Sequence, residues 1–242
     1  MKKIILGSIL IITLLSSQAF GITTNFMDSP TNYFWPGYGN GSSDDSKDTI
    51  GVPNFTGGSL ELTDNGYLKN ITFYYKADNY LNIWNLLKPG DLFIDIGANN
   101  SWNYVVNTLN QTNSGTYGLY SSDTGFSDYI FSNGTRDWSG YDIRDNHPVG
   151  IINLGGDHLT VNFSGWATPS STGQIVTSRF DFSGLPGEGL FIGSQDFIIS
   201  WTANCANDVI YEKINPVPEP STILLIGSGL LGIVGLRKKF KK

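Results

Sequence analysis

Ser59-Leu60-Glu61-Leu62-Thr63-Asp64-Asn65-Gly66-Tyr67-Leu68-Lys69-Asn70-Ile71-Thr72-Phe73-Tyr74-Tyr75 reads as two strands joined by a turn. Apolar and aromatic residues dominate both arms, and Asp-Asn-Gly between them readily takes the left-handed backbone that a tight hairpin requires. The same grammar repeats along the chain. Runs rich in Val, Ile, Phe, Tyr, Trp and Thr lie at residues 91–96, 102–109, 116–121, 149–154, 159–166, 175–182, 197–204 and 208–213, and Gly, Asn, Asp, Ser and Pro separate them. Leu159, Val161 and Phe163 alternate with Thr160, Asn162 and Ser164, so one face of that strand is expected to be buried and the other wet. Only residues 80–88 have the makings of a helical turn, and Pro89-Gly90 stops it. Many short strands without a sustained helical period predict an all-β fold over residues 50–214, an antiparallel β-sandwich of jelly-roll or lectin-like layout. Residues 22–49 read as a loop-rich segment leading into that domain, with no internal repeat and no second domain boundary.

The composition supports a packed domain. Of 242 residues, 40% are hydrophobic and 13% aromatic while 15% are charged, which is the reverse of a disordered chain. Seven of the 15 basic residues but only one of the 21 acidic ones lie in the two tails, leaving 8 bases against 20 acids in the middle, a net charge of −12. Such a domain lacks the basic footprint that nucleic acid requires. Cys205 is the one cysteine, so no internal disulfide forms. It reads as a buried small apolar residue, with an intermolecular bridge or a reactive thiol as the alternatives.

The residues of the middle that carry chemistry point away from catalysis. His147 and His158 are the two histidines; no Gly-x-Ser-x-Gly elbow and no His-Glu-x-x-His pair with them. We therefore expect no enzyme. Asp44, Asp45 and Asp48 are candidate oxygen ligands for calcium, against the reading of a solvated acidic loop, since no EF-hand Gly and Glu follow at the required spacing. Asp91 and Asp95 form a further acidic pair, followed by Gly97-Ala98-Asn99-Asn100, which offers amides and no carboxylate, and Asp208 reads as a turn residue. Six tryptophans, at 35, 84, 102, 138, 166 and 201, exceed what one core needs. Trp138, among the charged and small residues 134–141, is the candidate glycan contact, whereas Trp102, Trp166 and Trp201 fall within or at the ends of strands and read as core.

Both ends carry addresses. Met1-Lys2-Lys3, an apolar run from Ile4 to Leu15, and small residues through Gly21 have the layout of a signal peptide over residues 1–21, with cleavage by signal peptidase expected after Ala19 or Gly21. At the other end, Val217-Pro218-Glu219-Pro220-Ser221 precedes an apolar, Gly-containing stretch read as a membrane helix over 222–236, and a basic cluster over 237–242 follows. The prolines hold the segment around Glu219 extended. The basic cluster is expected to stay cytoplasmic, which places the domain on the far side of the membrane.

This three-part end, residues 215–242, resembles the PEP-CTERM sorting signal of exported bacterial proteins. The resemblance implies recognition by an exosortase, cleavage at or near residues 217–221, and release or re-anchoring at the cell surface or in extracellular polymer. A plain membrane anchor is the alternative. Gly90 to Asp95, Ser101 to Val106, and Trp201 to Ile210 with its Cys205-Ala206-Asn207-Asp208-Val209-Ile210 ending, resemble the extracellular β-domain that often precedes such tails. The expected role is structural or adhesive in a surface or biofilm matrix, and the alternative is a carbohydrate-binding module acting on exopolysaccharide.

Overall fold

The structure, a computed structural model, describes residues 21–28, 52–77, 81–132 and 143–216. Thirteen strands form among them: β1 (Ile22–Phe26), β2 (Asn54–Leu62), β3 (Tyr67–Lys76), β4 (Leu92–Ile96), β5 (Tyr104–Val106), β6 (Gly115–Ser121), β7 (Tyr129–Phe131), β8 (Pro148–Ile151), β9 (Leu159–Ser164), β10 (Val176–Asp181), β11 (Leu190–Phe191), β12 (Phe197–Thr202) and β13 (Val209–Ile214). The helical turn before Pro89 is a 3-10 helix, Leu81–Leu86. The turn between β2 and β3 forms where the sequence places it. Of the three residues Asp64, Asn65 and Gly66 only Gly66 has a positive φ, 78°, and Thr63 closes the loop by donating its N–H to Tyr67 O at 2.8 Å.

All-β and antiparallel hold, but the division into two stacked sheets does not follow. Eleven strands hydrogen-bond into one sheet in the order β1-β2-β3-β10-β9-β6-β5-β4-β12-β13, with β11 added to β3, and β7 and β8 pair separately. The sheet curls until its ends approach. At that seam the Phe55 N–H donates to the buried Asp208 Oδ2 at 2.6 Å, and the Asn207 side-chain amide and the Cys205 thiol both reach Val52 O, at 3.1 and 3.7 Å. The layout is thus close to a barrel around a single interior, with β1 and β13 as the two ends of the strand order.

The interior is aromatic. Trp201 lies at its centre, with ring centroids of Phe73 at 4.7 Å and of Phe55 and Phe180 at 5.4 Å, and its Nε1–H donates to Gly90 O at 3.1 Å. Tyr75, Trp84 and Trp166 stack nearly parallel beside it. β4 and β12 are buried on both faces. Leu92, Ile94, Phe197 and Ile199 point inward, while Phe93 and Ile198 point outward into a second cluster with Trp102, Val105, Val149, Ile151 and Val209, which β8 covers. That covering explains why residues 92–94 run apolar without alternation.

Two stretches of the chain differ from what their sequence predicts. Residues 22–26, within the stretch whose composition predicts a loop-rich segment, form β1, which extends the edge of β2 with Ile22 opposite Leu62 and Phe26 opposite Gly58. Gly57, at φ 116°, is what admits it, since a Cβ there would sit 2.7 Å from Met27 Cα. Along β9, Val161 and Phe163 are buried as the alternation requires, but Leu159 is 49% exposed at the strand's start.

Candidate functional site

The sorting motif is reached through β13, and the residues around its last turn of chain fix where the tail leaves. Ile214 is buried in the main core opposite Phe197. Lys213 Nζ lies 2.9 Å from Asp196 Oδ2, and the Asn215 amide, oriented to donate, lies 3.0 Å from both oxygens of the same carboxylate. Asp196 therefore holds the chain on both sides of Ile214. Sequence reading missed it, because nothing in Gly193-Ser194-Gln195-Asp196 distinguishes that aspartate from any other turn residue. Pro216 is the last described residue, three positions before Glu219.

Of the residues singled out in the sequence, Ala19, Trp35, Asp44, Asp45, Asp48, Trp138 and the motif Val217, Pro218, Glu219, Pro220 and Ser221 lie outside the described residues. Gly21 is described: it is exposed, immediately precedes β1, and stands close to the Glu61 side chain. Trp84, Trp102 and Trp201 are buried and Trp166 is partly buried against the core, so four of the six tryptophans fill the fold.

The buried acidic residues of the domain, Asp91, Asp95 and Asp208, serve the backbone. Asp91 is fully buried; its Oδ1 accepts the Leu109 N–H at 2.8 Å and its Oδ2 accepts the Ile151 N–H at 3.0 Å, tying β4 to the loop after β5 and to β8. Burial pushes its pKa up to about 7, against the lowering effect of these donors. Asp95 Oδ2 accepts from the N–H groups of Asn100 and Ser101 at 2.7 and 3.2 Å. The two carboxylates thus hold separate loops instead of facing a common ligand. Among the described residues no group of three or more His, Cys, Asp or Glu is placed to hold a metal ion.

The remaining residues with chemistry sit apart. His147 is buried, with Nδ1 2.8 Å from Asp145 O, whereas His158 is exposed and stacks on Tyr120 at 4.9 Å. His158 borders a depression of about 150 Å³ with Tyr104, Leu119, Ser121, Asp157 and Leu159. That volume is below the ~300 Å³ at which small-molecule pockets begin. Cys205 is buried, and desolvation pushes its thiol up to about 12, which is the chemistry of a packing residue and not of a nucleophile.

No curated protein and no solved structure matches the chain. Residues 216–239 match the family described as the PEP-CTERM protein-sorting motif, so that the match begins at Pro216, two residues beyond the last buried residue of β13. The chain therefore carries a PEP-CTERM sorting motif joined to the end of a rolled antiparallel sheet, and that motif implies export and processing by an exosortase.

Proposed function

We propose that the chain is a surface or extracellular-matrix protein, delivered by exosortase processing, whose β domain has a structural or adhesive role and performs no catalysis. The observation that carries this reading is the sorting-motif match beginning where the folded domain ends. The use of buried Asp91, Asp95 and Asp208 as acceptors for backbone N–H groups supports a domain that spends its carboxylates on its own architecture. Signal peptidase acts first, at Ala19 or Gly21. Residues 222–236 then hold the domain transiently at the inner membrane, and exosortase cuts near residues 217–221.

Intact-mass measurement of the protein from an exosortase-bearing native host tests this, comparing wild type with Glu219→Ala. The expected result is loss of both ends in the wild type and retention of the C-terminal tail in the variant. A complete C-terminus in both proteins would mean that the tail is only an anchor, and the matrix role would fall with it.

A further inference from the structure

The two tails leave the domain at the same end. Ile22, which begins β1, is opposite Leu62, next to the turn at residues 63–66. That turn is bound to the loop before β12, because Ile192 and Gly193 donate their N–H groups to Gly66 O at 2.9 and 3.0 Å. The same loop continues to Asp196, which holds Asn215, and to Phe197, which faces Ile214. Residues 21, 63–66, 192–196 and 214–216 thus share one end of the rolled sheet. At the opposite end are Lys76, Val176 and the loop at 171–174, separated from it by the length of β3, about 30 Å for ten residues.

Covalent geometry limits what the tail permits. Nine residues take the chain from Ile214 to Ile223, where the apolar stretch begins, a reach of at most about 30 Å fully extended. The tethered end therefore stays close to the lipid, whereas bringing the opposite end down would stretch the tether to its limit. At the rim of the tethered end the Phe191 ring, 58% exposed, packs on Tyr67 at 5.1 Å. Its four acids, Glu61, Asp64, Glu188 and Asp196, outnumber its two bases, Lys69 and Lys213, and the net negative charge disfavours a strongly anionic surface.

We propose that this end is the face the domain turns to the lipid bilayer while the C-terminal tail is attached, with the Tyr67–Phe191 pair as its apolar contact. The inference rests on the reading of residues 222–236 as a membrane helix, and the test separates the two. The full chain is reconstituted in phosphatidylcholine vesicles with a fluorescent label on Asn65→Cys at the tethered end or on Thr172→Cys at the opposite end; both positions are exposed, and the buried Cys205 stays unlabelled. Brominated lipid is expected to quench the label at 65 several-fold more than the label at 172. Phe191→Ser is expected to weaken quenching at 65 while leaving flotation with the vesicles unchanged. Failure to float overturns the membrane-helix reading and this inference together. Flotation with equal or reversed quenching overturns the inference alone, and quenching at 65 that ignores Phe191→Ser removes the apolar contact from it.

Discussion

At Asp91 a single carboxylate links the sequence to the order of its strands. It occupies the face of β4 that also carries Phe93, and β8 and the loop after β5 close over it, so the carboxyl is cut off from water and its proton is held up to a pKa of about 7. In the unfolded chain the same group titrates in the ordinary carboxylate range, near pH 4. Between those values the folded state binds more proton than the unfolded one, so this residue's contribution to stability is fully present below about pH 4 and is lost as pH rises toward 7. We expect denaturant unfolding of the wild type to show this decline between about pH 4.5 and 7.5, on the order of a few kcal/mol at most. Asp91→Asn, which keeps an acceptor and removes the titration, should flatten it. An equal slope in both proteins would assign the decline to other groups. The sequence discounts Asp91 and Asp95 as a ligand pair for want of a further carboxylate, but it does not say what each one binds. Spacing in a strand shows which face two carboxylates share, not which backbone amides a later loop brings to each.

Among the elements, the turn between β2 and β3 shows how local chemistry was legible. Asp64-Asn65-Gly66 named the hairpin, and only Gly66 adopts the left-handed backbone, with Gly193 packed where a Cβ would go, 2.6 Å from its carbonyl oxygen. Gly66→Ala is expected to destabilise the domain by about 1–3 kcal/mol through backbone strain and this clash. Asn65→Ala, at an exposed position of the same turn with ordinary backbone, should stay within about 0.5 kcal/mol of wild type. Paired urea titrations read both values, and equal costs would mean that Gly66 is not the constrained residue. β1, β7 and β11, of five, three and two residues, escaped sequence reading. Each exists because a longer strand, or its neighbour in the chain, offers it an edge: β2 for β1, β3 for β11, β8 for β7.

At the scale of the molecule, one interior replaces two stacked faces. Its centre is Trp201, which meets aromatic rings from β2, β3, β9 and β10, so that strands distant in the chain share one contact. Trp201→Ala should cost about 3–5 kcal/mol, a large part of the ~5–15 kcal/mol by which a domain of this kind is stable. The shift of the urea midpoint measures it. A loss below about 1 kcal/mol would mean that the interior collapses around the gap and that the aromatic cluster is not the organising core. The Cys205-Ala206-Asn207-Asp208 segment works at the same scale, since its thiol, amide and carboxylate bind Val52 and Phe55 and bring the last strand to the second. Its letters were visible in the sequence; its partner, 153 residues earlier, was not.

Local rules were enough to read the all-β antiparallel class, the central hairpin, most of the longer strands, the burial of Cys205 and of the strand tryptophans, and the sorting tail over 215–242, within which the family match covers 216–239. Those rules are a periodicity of two, turn residues that tolerate a left-handed backbone, and a linear signal read by another protein. Only the folded molecule reveals that the strands form one rolled sheet, that β8 covers an outer face, that Asp91 and Asp208 bind distant amides, and that residues 21 and 216 leave from one end. The reason is physical: a strand's sequence sets which face is apolar, whereas its neighbour is chosen by the closure of the whole sheet around a shared core.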